Sequence, residues 1–194
     1  NGGRGIAISG SYAYIAGNSF QVIDITNPTS PVIAGSVTTQ GNGRGVAISG
    51  SYAYIAGDGF QIIDISYPTS PVVVGSVYMN GGSQGVGISG SYAYVASGDL
   101  QVINFTNPIS PTMTGSVNTP PSSGERGALS VAVSGSYAYV ADDDHGLQVV
   151  DIANPASPTI TGSVDTPGYA WGVAVSGSHA YVADYTSLQV VDIT

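Results

Sequence analysis

Residues 10–17 read GSYAYIAG, and nearly the same string returns as GSYAYIAG from Gly50, GSYAYVAS from Gly90, GSYAYVAD from Gly135 and GSHAYVAD from Gly177. A nucleophile, a general base or a metal ligand is needed once, so a phrase used five times reads first as architecture. The copies recur at a period of roughly 40 to 45 residues. With only strand-like segments inside each period, that spacing is the signature of a β-propeller blade.

Four strands are read in each unit. The first is GIAIS, GVAIS, GVGIS, SVAVS or GVAVS, the second is the YAYIA core of the phrase, and the third is FQVIDI, FQIIDI, LQVINF or LQVVDI. The fourth is PVIAGSV, PVVVGSV, PTMTGSV or PTITGSV, and the last unit has none. All are rich in Val, Ile and Tyr and are bounded by Gly, Ser, Asn and Pro, as strands are. Large side chains at spacing two, such as Ile6 and Ile8 or Tyr12 and Tyr14, place one apolar row on each sheet face for packing between blades. The Gly10-Ser11 pair supplies the positive φ that a tight hairpin requires. In DITNPTSP and its kin, proline fixes φ and the aspartate closes a turn onto nearby backbone N–H groups. Asp24, Asp64, Asp151 and Asp192 are therefore read as turn-formers. Asn104 fills the same slot and begins NFT, formally a glycosylation sequon. Its place at a strand end argues against modification.

The third strand LQVVDI, followed by the NPxSP turn and preceded by YAYVAD, resembles the LVIVD repeat. The match in order and spacing covers essentially the whole chain. That resemblance implies a propeller fold and a secreted or cell-surface bacterial or archaeal setting; it implies no catalytic residues.

The expected fold is thus all-β: one propeller domain over residues 1–194, with blades at about 1–40, 41–80, 81–121, 122–166 and 167–194. The last blade lacks its outer strand, and closure into a five-blade ring is the expected arrangement. Its third strand, a long apolar edge without Lys or Pro, is of the kind that recruits another strand. Self-association through that blade is the assembly reading that follows.

Composition narrows the partners. The chain has 194 residues, a net charge of -9, no cysteine, and only three cationic residues, all arginine. A nucleic acid or an anionic bilayer as main partner needs clustered Lys/Arg. Neither is expected, nor is membrane insertion, because no apolar run approaches the roughly 18 residues that a span needs. Without cysteine there are no disulfides and no thiolate sites. A surface rich in Gly, Ser, Thr and Tyr with little charge leans toward an extracellular or cell-surface location. The chain starts without Met or a leader, as expected of a mature or excised portion.

Function is sought where the copies differ. The position just before the first strand carries Arg4, Arg44, Gln84, Leu129 and Trp171, and Arg126 lies in the inserted loop NTPPSSGERGAL of residues 118–129. By analogy with other propellers these positions surround the ligand mouth. Arg offers bidentate hydrogen bonds to an anion, and Trp171 with Tyr169 offers flat apolar surface for a sugar ring or aromatic group. The expected ligand-binding set is Arg4, Arg44, Gln84, Arg126, Tyr169 and Trp171; the alternative role for the arginines is to neutralise nearby carboxylates. The expected partners are a glycan, an anionic small molecule or another protein, as in adhesion or surface recognition.

No cofactor is expected. Asp142, Asp143 and Asp144, with His145 beside them, form the one acidic cluster to which calcium could be assigned, yet they lack a recognised calcium-loop spacing. No enzymatic activity is expected either. The glycine-rich stretch GNGRG leads into a strand and not a helix. Ser9, Ser49, Ser89, Ser134 and Ser176 lie in tight turns without a nucleophile elbow. Of the two histidines, His179 replaces a packing tyrosine, and Glu125 is the single mouth carboxylate, where a glycosidase needs a pair. A non-catalytic recognition module is the reading that remains.

Overall fold

The computed structural model describes residues 4–80, 82–120 and 127–194. Among these residues every regular element is a strand. The first sheet comprises β1 (Gly5–Ser9), β2 (Tyr12–Ala16), β3 (Ser19–Asp24) and β4 (Val32–Thr38), and the second β5 (Gly45–Ser49), β6 (Tyr52–Ala56), β7 (Phe60–Asp64) and β8 (Val72–Val77). The third contains β9 (Gly85–Ser89), β10 (Tyr92–Ser97), β11 (Asp99–Asn104) and β12 (Thr112–Val117). The fourth contains β13 (Ser130–Ser134), β14 (Tyr137–Ala141), β15 (Leu147–Asp151) and β16 (Thr159–Val164). The last holds only β17 (Ala170–Ser176), β18 (His179–Asp184) and β19 (Ser187–Asp192). In every sheet, neighbours in sequence are neighbours in space and run antiparallel. These are the blades the repeat predicts, including the three-stranded fifth.

Local chemistry sets each boundary. The hairpin between first and second strands turns on Gly10, Gly50, Gly90, Gly135 and Gly177, all with φ between 55 and 58°. A side chain is strained there, which is why one phrase recurs. After the third strand the aspartate caps its own turn: the N–H groups of Thr26, Ser66 and Ala153 each donate to Oδ1 of Asp24, Asp64 and Asp151 at 2.8 Å, and Thr194 N–H to Asp192 at 3.0 Å. Hydrogen bonds from Thr26 and Ser66 hold the Asp24 and Asp64 carboxyls below the usual range, and Thr194 does the same for Asp192. The turn-forming role read from sequence is the observed one.

The chain forms two compact units, one of Asn1–Ser83 with Phe105–Thr112 and one of Gln84–Asn104 with Met113–Thr194. In the first, Tyr14, Ala16, Phe20 and Val22 of blade 1 bury against Ala53, Ile55, Ile63 and Ile65 of blade 2, with Val46, Ile48 and Val73 closing the edges. The second unit repeats this twice. Tyr94, Ala96, Leu100 and Val102 meet Ala138, Val140, Val150 and Ile152, and Tyr139, Ala141 and Leu147 meet Ala180 and Val182. Each blade therefore has two unlike faces, one of Tyr, Ala, Phe/Leu and Val, the other of Ala and β-branched residues. The alternation along each strand produces both at once.

A second contact locks the outer strands. In Gly35, on β4, an added methyl would collide with the carbonyl oxygen of Pro68, from the turn after β7. Gly75 meets Pro108 in the same way, and Gly115 meets Pro155. The glycine of each GSV is thus required by the close approach of the next blade's proline turn, a packing reason invisible in one repeat taken alone.

Candidate functional site

The position before the first strand is structurally equivalent in four blades. The N–H groups of Arg4, Arg44, Gln84 and Leu129 donate to the carbonyls of Ala16, Ala56, Ala96 and Ala141 at 2.7 to 2.9 Å. By their backbone hydrogen bonds these four residues occupy one repeat position. Blade 5 departs: Trp171 lies inside β17, at an irregularity where Ala170 pairs with Asp184 and Gly172 with Ala183. A bulge leaves its residue unpaired and re-aims the side chain. Trp171 is accordingly not a loop residue as expected, but a strand residue turned outward and about half exposed.

Around it the structure assembles a cluster that sequence reasoning only half found. The Trp171 ring lies 6.5 Å from that of Tyr185 at an interplanar angle of 29°, and Tyr169 meets Tyr185 edge-on at 6.3 Å. Tyr185 is 76% exposed, and both neighbours are 48% exposed. Tyr169 and Trp171 thus both pack on the ring of Tyr185 while all three stay open to solvent, an exposed aromatic patch of the kind that takes a ligand. Tyr185 has a φ of 25°, an uncommon backbone state for a non-glycine residue. Its sequence signal was the lone aromatic in the loop ADYTSL, where the other copies have small or acidic residues.

The arginines behave differently. Arg44 Nη2 lies 3.2 Å from Asp58 Oδ1, and its Nη1 donates to the Ser83 carbonyl at 3.4 Å. Asp58 Oδ2 also accepts from Asn42 N–H at 3.0 Å. The guanidinium is committed to Asp58 of its own blade and to the Ser83 carbonyl at the start of the next, and neutralising a nearby carboxylate is the alternative weighed for it from sequence. Arg4 is exposed, Gln84 is half-buried, and Arg126 lies outside the described residues, as does Glu125. Ser83, missed in the sequence, is fully buried: its hydroxyl accepts from Gly57 N–H at 2.8 Å and donates toward the Gly57 carbonyl.

The three consecutive aspartates do not converge. Asp142 turns inward, fully buried, and its Oδ1 accepts from the Thr119 hydroxyl at 2.9 Å. Asp144 Oδ1 lies 3.1 Å from His145 Nδ1, and the Asp143 carbonyl receives Ala170 N–H at 2.7 Å. No group of three His, Asp or Glu that could hold a metal is present among the described residues.

Burial pushes the Asp142 carboxyl up to about 6, against the smaller opposing effect of the Thr119 hydrogen bond. Folding therefore holds a proton that the unfolded chain has released. Between about pH 4 and 6 this group's contribution falls as pH rises, and above pH 6 its cost is fully present. Asp142→Asn keeps an oxygen for Thr119 and removes the buried charge. It is expected to stabilise the protein by about 1–2 kcal/mol near pH 8 and by little near pH 4. Urea unfolding at the two pH values checks this, and an advantage that does not change with pH would contradict it.

Comparison with known proteins places these features. The LVIVD repeat matches residues 3–39, 40–79, 80–119, 125–166 and 167–194. No curated protein matches the chain. Among solved structures, the computationally designed Ika8 protein aligns over all of this chain and 59% of its own, with a TM-score of 0.78 and 10% identity. A functionally unknown protein from Desulfotomaculum acetoxidans aligns over 96% of this chain and 64% of its own, with a TM-score of 0.82 and 16% identity. The periplasmic gluconolactonase PpgL of Pseudomonas aeruginosa aligns over 99% of this chain and 66% of its own, with a TM-score of 0.81 and 17% identity. The chain thus spans about three fifths to two thirds of the length of these structures.

The last of them corrects one expectation. Catalysis was excluded because the repeated residues carry no nucleophile or paired acid, yet a gluconolactonase is built on this fold. Repetition constrains the scaffold, and a reaction needs only residues that occur once, so scarcity of repeated chemistry excludes nothing. Membrane crossing has a narrower answer: no helix among the described residues is long and apolar enough to span a bilayer. With the profile matched from residue 3 to residue 194, and with sheets, turns and interfaces repeating at that same period, the chain belongs to the LVIVD-repeat family.

Proposed function

We propose that the chain is an extracytoplasmic recognition module that binds a ring-shaped ligand, a glycan, on the aromatic surface of blade 5. The observation that carries this reading is the exposed contact cluster of Tyr169, Trp171 and Tyr185. The apolar face of a pyranose ring stacks on such rings, and phenolic and indole groups at the rim donate to its hydroxyls. Blades 1 to 4 carry no tryptophan. The low charge of the chain favours a neutral ligand over an anion at this place, and Arg44, the cation best defined, is already paired with Asp58. A location outside the cytoplasm is in keeping with the composition and with the periplasmic neighbour, whose named activity on a gluconolactone is in keeping with a sugar-type ligand.

Trp171 is the sole tryptophan, so intrinsic fluorescence reports on this surface alone. Titration with neutral and with sulfated oligosaccharides is expected to give a saturable change with the neutral set, and calorimetry on Tyr185→Ala should show affinity weakened at least tenfold. No saturable change with either set would overturn the reading. A response confined to the sulfated set would move the ligand class to anions.

A further inference from the structure

We infer that the loop entering blade 5 binds a calcium ion through the carboxylate of Asp184. The ion and its place are distinct from the ring-stacking ligand of the aromatic surface, so either proposal can fail alone.

Asp184 ends β18 and is fully buried, and neither of its carboxylate oxygens has a hydrogen-bond partner among the described residues. Taking a carboxylate out of water costs several kcal/mol, and buried charges are kept where they are paired or coordinate a metal. Both oxygens are enclosed by residues this chain already has, so a small ion reaches them and another chain segment does not.

Blade 2 builds the same loop and completes it with its own side chains. There the loop before the first strand runs Thr39-Gln40-Gly41, with the Thr39 hydroxyl donating to the Gly41 carbonyl at 3.4 Å; in blade 5 it runs Thr166-Pro167-Gly168, with Thr166 donating to the Gly168 carbonyl at 3.1 Å. A carboxylate lies over each glycine: an added Cβ would collide with Asp58 Oδ2 at Gly41 and with Asp184 Oδ1 at Gly168. Asp58 receives the Asn42 N–H at 3.0 Å and the Arg44 guanidinium at 3.2 Å. Counted from the glycine, the places of Asn42 and Arg44 fall in blade 5 to Tyr169 and Trp171, neither of which brings a positive charge. Blade 5 thus keeps the carboxylate and lacks the cation.

The groups beside it are those calcium accepts. Thr186 Oγ1 stands 3.4 Å from the point over Gly168 where the carboxylate lies, and the Thr166 hydroxyl and Gly168 carbonyl belong to the same loop. Calcium takes oxygen ligands in a flexible shell and accepts a carboxylate through one oxygen or both, whereas magnesium demands a near-ideal octahedron. Thr186 is exposed and marks the way in from solvent. One carboxylate among neutral oxygens makes a weak site, with a dissociation constant on the order of 0.1–1 mM.

The test uses the whole chain, treated with EDTA and then titrated with calcium chloride, with magnesium chloride and choline chloride at equal ionic strength as controls. Calcium at about ten times its dissociation constant is expected to raise the melting temperature by about 3–5 °C. Asp184→Asn should abolish that rise, and Asp144→Asn should leave it as in the wild type. Thr186→Val, at an exposed position that tolerates substitution, should weaken binding severalfold and keeps the test open if Asp184→Asn fails to fold. Absence of a calcium shift in the wild type overturns the proposal, as does an equal shift with either control salt or in Asp184→Asn. A shift lost in Asp144→Asn and kept in Asp184→Asn overturns it too, by placing the ion on the acidic loop after β14.

Discussion

Gly75→Val is expected to lower the unfolding free energy by at least about 3 kcal/mol, whereas Gly162→Val changes it by less than about 1 kcal/mol. Both glycines stand at one repeat position, so local propensity treats them alike. At Gly75 the new side chain has to displace the carbonyl of Pro108 and the ring of Pro111. That oxygen belongs to a turn closed by the Ser110 N–H on the Asn107 carbonyl at 3.1 Å, so it does not yield cheaply. At Gly162 an added Cβ comes no nearer to another atom than 3.9 Å, at Val149 Cβ, and the β-branched residue improves the strand. Chemical denaturation of the two variants settles the comparison; equal losses would show that the glycine serves the strand itself and not the neighbouring turn.

The other large effect concerns the blade faces. Phe60→Ala is expected to cost about 3–5 kcal/mol, and Leu188→Ala no more than about 0.5 kcal/mol. These residues hold one repeat position in the third strands of blades 2 and 5. Phe60 is fully buried and stacks on Tyr54 at 6.2 Å, while Leu188 is 64% exposed, with Val190 at 56% on the same face. Removing a buried ring leaves a cavity in addition to the lost transfer energy, and removing an exposed side chain leaves neither. Paired urea melts measure both. A Leu188→Ala loss approaching that of Phe60→Ala would mean that the face of blade 5 is covered in solution.

The sequence made the scaffold readable because its information is periodic. Gly10 and its four counterparts need positive φ, Asp24 and its kin need an acceptor two residues from a donor, and both requirements act within a few residues. What escaped depends on neighbours far along the chain. Gly35 was read only as part of a strand, since Pro68 approaches it from the next blade. Arg44 carried its partner, Asp58, fourteen positions away and across a hairpin. Trp171 was placed in the right blade but on the wrong side of a strand boundary, because a bulge adds a residue without marking the sequence. Tyr185 was passed over since a single tyrosine among thirteen has no pattern of its own. Its importance arises when β17 and the loop after β18 bring it to Trp171. The exclusion of catalysis failed for the opposite reason, by treating a lack of pattern as a lack of chemistry.

The recognition proposal rests on blade 5, where the copies stop being interchangeable. The most direct test of the recognition claim is an amide and side-chain NMR perturbation map of the uniformly labelled chain during titration with a neutral oligosaccharide. The account predicts that the largest shifts gather at Tyr169, Trp171, Gly172 and Tyr185, that the Trp171 indole N–H moves with the same saturation curve, and that Arg4, Arg44 and Gln84 stay in place. Shifts centred on Arg4 and Gln84 with Trp171 unmoved would contradict it.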